Sequence, residues 1–105
     1  MKNQAPKPKT QQAMKEMDPY AEEQELLLAL EKREVKAFLR LFKDYNDDLM
    51  IFAYSQLNNQ KKAEETVQEL FEELWSAGRF KEIKPPIYKF LVGELSRICE
   101  SKISQ

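Results

Sequence analysis

Three groups of residues have the types and spacing to do chemistry. The first is a run of carboxylates: Glu64, Glu65, Glu69, Glu72 and Glu73, with Gln68 among them. Like charges three and four residues apart on a helix repel by about 0.2–0.5 kcal/mol per pair. Such a run either solvates one helical face or presents a docking surface to a basic partner. The second group is the stretch AGRFKEIKPPIYK from Ala77 to Lys89, which interleaves Arg79, Lys81, Lys84 and Lys89 with Phe80 and Tyr88. Basic side chains neutralise phosphates and aromatic faces stack on unpaired bases, a combination suited to single-stranded nucleic acid. Read plainly, the two aromatics belong to the core or its boundary and the lysines keep the chain soluble. The third is Cys99, the one cysteine, which reads as a small buried hydrophobe.

Several chemistries are closed by what is missing. The 105 residues include no His, one Cys and two Gly. Without His there is no imidazole base, no Ser-His-Asp relay and no His-based zinc site. One Cys makes no disulfide. Gly78 and Gly93, far apart, form neither a dinucleotide fingerprint nor a phosphate loop. A carboxylate-only active site needs acids converging in a cleft, and these acids fall on one helical face. The chain reads as a non-enzyme with no metal and no cofactor.

The elements that must carry these groups are helical. Ala, Glu, Leu, Lys and Gln dominate from Tyr20 on, and no Gly occurs before position 78. The pattern predicts a short helix over about 21–32, built on Leu26, Leu27, Leu28 and Leu30. A second follows over about 34–57, with Val35, Phe38, Phe42, Tyr45, Leu49 and Phe52 as its stripe, widened by Leu39, Leu41, Ala53 and Leu57. The Asn46-Asp47-Asp48 cluster allows a bend without requiring one. Asn59 is placed to cap a third helix over about 60–76, whose apolar stripe is Ala63, Val67, Leu70, Phe71 and Leu74. Trp75 at its end reads as a core residue. Gly78 suits a left-handed stop. A linker of about eight residues leads through Pro85-Pro86 into a last helix over about 86–103, marked by Ile87, Leu91, Leu95 and Ile98. The expected fold is all-α: a small bundle of three main helices plus a short N-terminal one, in a single domain over 20–105. Residues 1–19 are too poor in apolar side chains to bury much surface, and read as a disordered leader.

Charge is segregated along the chain. The net value of −1 conceals +2 over residues 1–18, −6 over 19–78 and +3 over 79–105. The longest apolar run, Leu26 to Leu30, is far shorter than the ~20 residues of a membrane span, and the N-terminus has no signal-peptide core. The expectation is a cytoplasmic protein with no membrane partner.

The order of residues from Leu57 to Trp75 goes beyond amphipathicity. Ala63-Glu64-Glu65-Thr66-Val67-Gln68-Glu69, then Phe71, Leu74 and Trp75, resembles region two of bacterial sigma factors, nearest the extracytoplasmic-function type. Upstream, Ala37 to Tyr45 looks like that family's opening Ala-Phe-x-x-Leu-Tyr-x-x-Tyr helix. Downstream, Ile87-Tyr88-Lys89-Phe90-Leu91 looks like the segment entering its last helix. The resemblance covers about residues 33–103.

The resemblance implies a helical domain that binds RNA polymerase core and opens promoter DNA, with polymerase doing the chemistry. Glu65, Gln68, Glu69 and Glu72 would dock on the clamp coiled coil. Arg79, Phe80, Lys84, Tyr88, Lys89 and Arg97 would meet the non-template single strand of the minus-ten element. An anti-sigma factor is a further implied partner. The chain departs from the family at Glu94, where an apolar residue is usual, and at Leu95-Ser96-Arg97, where an Ala-Arg-Asn-like triplet is usual. The family's second domain, region four, would lie beyond Gln105. Two expectations stand: a transcription initiation domain that reads the minus-ten element, or an interaction module of the same fold that binds polymerase or a regulator without reading DNA.

Overall fold

The helix Gln60–Ala77 begins and ends on the residues suited to those positions. The Asn59 side-chain oxygen accepts from the Lys62 N–H at 2.9 Å. At the other end Gly78 adopts a left-handed φ of 64° and its N–H donates to the Leu74 carbonyl at 3.0 Å. The structure is a computed structural model that describes residues 20–103. The expected leader 1–19, and Ser104 and Gln105, lie outside the described residues.

In chain order the helices are α1 Ala21–Glu31, α2 Val35–Leu57, α3 Gln60–Ala77 and α4 Ile87–Ile103, with a 3-10 turn Arg79–Glu82 between α3 and α4. No strand occurs among the described residues. The fold is an all-α bundle in which α2, α3 and α4 pack on one another and α1 lies against α2 and the 3-10 turn. The helix bounds agree with the periodicity to within one or two residues. Helix α2 runs without a break through Asn46-Asp47-Asp48.

The core stripe of α2 departs from the sequence expectation in part. Its buried residues are Ala37, Leu41, Leu49 and Ala53, with Tyr45 half-buried between them. That row advances by fours, and each step of four residues turns the side chain by about 40° around the axis. It is an oblique ridge, the kind that seats in a neighbour's groove. Of the expected positions Leu41, Leu49 and Ala53 are buried and Phe38, Tyr45, Phe52 and Leu57 pack half-buried against the core, but Val35 is 60% exposed, Leu39 59% and Phe42 38%. The same correction holds in α1, where Leu26, Leu27 and Leu30 are buried and Leu28 points outward. In α3 all five expected positions are buried, joined by Thr66, whose hydroxyl donates to the Lys62 carbonyl at 2.7 Å.

The linker after α3 is not a plain connection. Its 3-10 turn drives Phe80 into the core at 1% exposure, and Ile83 follows it inside. Pro86 then sits just ahead of α4, and its carbonyl accepts from the Lys89 N–H at 3.1 Å. The first N–H of α4, that of Ile87, donates to the Glu23 carboxylate at 2.7 Å. A side chain of α1 thus caps α4, placing negative charge at the positive end of the helix dipole.

Candidate functional site

Two surfaces gather the residues that the sequence singles out. The first lies where α2 meets α3. Phe38 and Phe42 from α2 and Phe71 and Trp75 from α3 form a contiguous aromatic patch. Ring centroids are 4.9 Å apart for Phe38–Trp75 and 5.0 Å for Phe42–Phe71. These rings floor an open groove of about 490 Å³, lined also by Gln68, Glu72 and Ser76. Phe42 is 38% exposed, and Leu39 and Val35 continue the apolar surface one and two turns back along α2.

The expected docking residues fall on the exposed face of α3, with i, i+3, i+4 and i+7 spacing. Glu65, Gln68 and Glu72 are exposed and have no hydrogen-bond or ion-pair partner among the described residues. Glu69 differs. Its carboxylate accepts from Lys102 Nζ at 2.9 Å, tying α3 to the end of α4. Glu73 also turns away from the row, toward Arg79 and Arg97.

The second surface is the edge made by the 3-10 turn and α4. The geometry here divides the six residues expected to meet DNA. Phe80 is enclosed, its ring against Phe38 and Trp75, so it has no free face for a base; its expected stacking role is corrected on that ground. Arg79 donates to Glu82 at 2.8 Å and to Glu94 at 3.0 Å, and lies 3.6 Å from Glu73. Its hydrogen bonds to the Glu82 and Glu94 carboxylates raise its already high pKa. Arg97 donates to Glu94 at 3.0 Å and approaches Glu73 at 3.8 Å. Two guanidinium groups are therefore matched by three carboxylates in one knot joining α3, the 3-10 turn and α4. Little of their charge is left for phosphates. The hydrogen bond from Arg79 holds the Glu94 carboxyl below its ordinary range, against burial, and Arg97 adds to the lowering.

Lys84, Tyr88 and Lys89 remain accessible. Lys84 and Lys89 line a shallow pocket of about 290 Å³ with Pro85, Pro86, Phe90 and Glu82. Tyr88 is 41% exposed, and its ring stacks on Tyr45 at 6.3 Å and 22°. Burial of Tyr45 pushes its phenol pKa up, and Glu23 and Asp44 add to this.

Comparison with protein-family models, with curated proteins and with solved structures returns no match. What the chain can do rests on its own geometry.

Three contributions were missed by sequence reasoning. Trp75 is half core and half surface, and its ring lines the groove. Arg33 lies over that ring: its guanidinium carbon is 4.1 Å from the Trp75 ring centroid, and its Nη1 donates to the Trp75 carbonyl. The Glu23 cap on α4 spans 64 positions. Only the Val35–Leu39–Phe42 spacing signalled an apolar surface, and a straight-stripe reading assigned part of it to the core. Cys99 is buried, and burial raises its thiol pKa, as fits an inert core thiol. Among the described residues no cluster of three His, Cys, Asp or Glu is placed to hold a metal ion, and no helix is long and apolar enough to cross a membrane.

Proposed function

We propose that this chain is a helical adaptor of the sigma region-two type. It docks on the clamp coiled coil of RNA polymerase through the exposed face of α3 and the aromatic groove beside it. Two registers support the reading. One is the residue order from Ala63 to Trp75. The other is the single observation that carries the proposal: Gln68 and Glu72, both accessible and unpaired among the described residues, edge a groove floored by four aromatic rings. A coiled coil with basic and aliphatic side chains on one face complements such a surface. Apolar anchors enter the groove and charged groups meet its acidic edge.

The adaptor does not read promoter bases through Arg79, Phe80 or Arg97. Phe80 is enclosed, and both arginines are engaged by Glu73, Glu82 and Glu94. This favours the interaction module over the initiation domain that melts the minus-ten element. Glu94, the departure from the family pattern, is the centre of the knot that neutralises them. A cytoplasmic location and a non-catalytic role belong to the same proposal.

A second reading has one observation behind it. Lys84 and Lys89, with no ion-pair partner among the described residues, stand near the exposed Tyr88, enough for weak, salt-sensitive contact with a single strand. The test is a pair of titrations on the same protein. The adaptor reading expects binding to the clamp coiled coil that is lost in Gln68→Ala/Glu72→Lys, with no measurable binding to minus-ten-like single strands. Strand binding that weakens with salt and with Lys84→Glu/Lys89→Glu moves the assignment to the second reading.

A further inference from the structure

The outward face of α2 carries a pattern of its own, which shares only Phe42 with the aromatic groove. Val35, Leu39, Phe42 and Asn46 follow one another at steps of four, three and four residues, which keeps them within about 60° around the helix axis. The first three are exposed and Asn46 is half-exposed. We infer that this row is a seam on which a second copy of the chain packs, the two α2 helices lying parallel about a two-fold axis, with Lys43 of each copy against Glu72 of the other.

The chemistry of the seam is the first argument. Alternating steps of four and three are the repeat by which two helices interlock side by side. Asn46 interrupts an otherwise apolar row, and its side chain has no hydrogen-bond partner among the described residues. In a parallel two-fold pair every seam residue meets its own copy, so the two Asn46 amides can donate to and accept from each other. One such Asn pair costs stability and in return fixes register and limits the assembly to two strands.

Charge is the second argument, and it selects the parallel arrangement. Lys36 and Lys43, seven residues apart on α2, border the seam on the side away from α3. The border on the α3 side is Gln68 and Glu72. None of these four has an ion-pair or hydrogen-bond partner among the described residues. A two-fold axis along α2 brings the basic border of one copy onto the acidic border of the other. An axis across α2 would set lysine on lysine and glutamate on glutamate.

The levels along the axis agree. Trp75 pairs with Phe38 and Phe71 with Phe42, so α3 runs antiparallel to α2. Glu72 lies one residue to one side of the Phe42 level and Lys43 one residue to the other, about 3 Å apart along the axis. Lys36 comes level with the last turn of α3, the negative end of its dipole. Past Asn46 the charges turn unfavourable, because Asp47 comes level with Glu65, and the contact ends there. The seam from Val35 to Asn46 is thus about 18 Å long, a short contact of the reversible class. A joined pair covers Glu72, so pairing and docking on polymerase exclude each other.

The measurement is sedimentation equilibrium of the 105-residue chain from micromolar to millimolar concentration at low salt, with helicity checked by circular dichroism. Wild type is expected to pass reversibly from one copy to two and no further. Leu39→Glu, at an exposed position, is expected to weaken pairing by about tenfold or more at unchanged helicity. Lys43→Glu and Glu72→Lys are each expected to weaken it, and the double variant to recover most of the loss, because the pair is then reversed and not broken. A short bis-maleimide reads the orientation, since Cys99 is buried and the chain has no other cysteine. Val35→Cys and Asn46→Cys are each expected to crosslink to their own copy, whereas an antiparallel pair brings at most one of these positions to itself. A chain that stays single throughout overturns the inference. So does pairing indifferent to Leu39→Glu, a double charge variant as weak as the two single losses combined, or crosslinking at only one of the two positions. The experiment contains no polymerase, so this inference and the docking proposal fail separately.

Discussion

The Arg33 guanidinium lies 4.1 Å over the Trp75 ring while the same group donates to the Trp75 backbone carbonyl. One side chain thereby fastens the α1–α2 turn to the end of α3. Arg33 does this from a left-handed backbone, with φ of 63°. A non-glycine residue in that region is strained by about 1–2 kcal/mol. The contact with Trp75 offsets the strain, and removing the two effects separately tells them apart. Arg33→Ala keeps the strain and loses the contact; Arg33→Gly loses both. Arg33→Gly is therefore expected to be the more stable of the two by about 1 kcal/mol, with both below wild type. Urea unfolding followed by circular dichroism reads the order.

Gly78 meets the same guanidinium from the other side. A β-carbon there would stand 3.4 Å from Arg33 Nη1, in a backbone of φ 64°. Gly78→Ala is expected to cost about 1 kcal/mol from the left-handed backbone alone. Because the neighbouring atom is the end of a flexible side chain, the steric part is small. The cost should therefore be nearly the same in an Arg33→Ala background, a double-mutant comparison by chemical denaturation.

Acid should loosen the knot around Arg79. The Glu94 carboxyl is held below its ordinary value, first by the hydrogen bond from Arg79, so the folded protein binds its proton less readily than the unfolded chain. Its contribution is complete above the unfolded value near ~4.3. It is lost as pH falls through the lowered folded value. Wild type should lose stability below about pH 4 more steeply than Glu94→Gln, which has no carboxyl to protonate. At neutral pH the order reverses: Glu94→Gln is expected to be less stable by about 1.5 kcal/mol, the scale of a hydrogen bond to a charged group. Thermal unfolding at a series of pH values gives both slopes.

What the sequence made legible was local. Helices α1 to α4, the Asn59 cap and the Gly78 stop follow from residues within one or two turns of where they act. Missing from a local reading were the relations between distant segments. Leu41, Leu49 and Ala53 follow from the apolar pattern of α2, but the burial of Ala37 and the exposure of Val35, Leu39 and Phe42 depend on how α2 crosses its neighbours, which periodicity on one helix cannot show. Arg79 and Arg97 each have an acid three residues away, Glu82 and Glu94, but the contacts that close the knot, Glu73 with both arginines and Glu94 with Arg79, join separate elements and leave no local pattern. For Phe80 the residues left a core position and a base-stacking position both open, because a 3-10 turn inside a charged linker leaves no period to decide between them. The same holds for Glu23 and Ile87, joined across 64 positions. The acidic row of α3 survived the transfer to three dimensions because it needs one helix only. Even there, Glu69 proved to be tied to Lys102.

The most direct measurement is a calorimetric titration of this 105-residue chain with the isolated clamp coiled coil of RNA polymerase. Wild type, Gln68→Ala/Glu72→Lys and Arg79→Ala/Arg97→Ala are compared. The account predicts saturable binding by wild type, loss of binding on changing the groove edge, and retained binding when the arginines of the knot are replaced. Absence of binding by a folded wild-type protein would contradict it, as would binding that survives the groove-edge changes and disappears with the arginines.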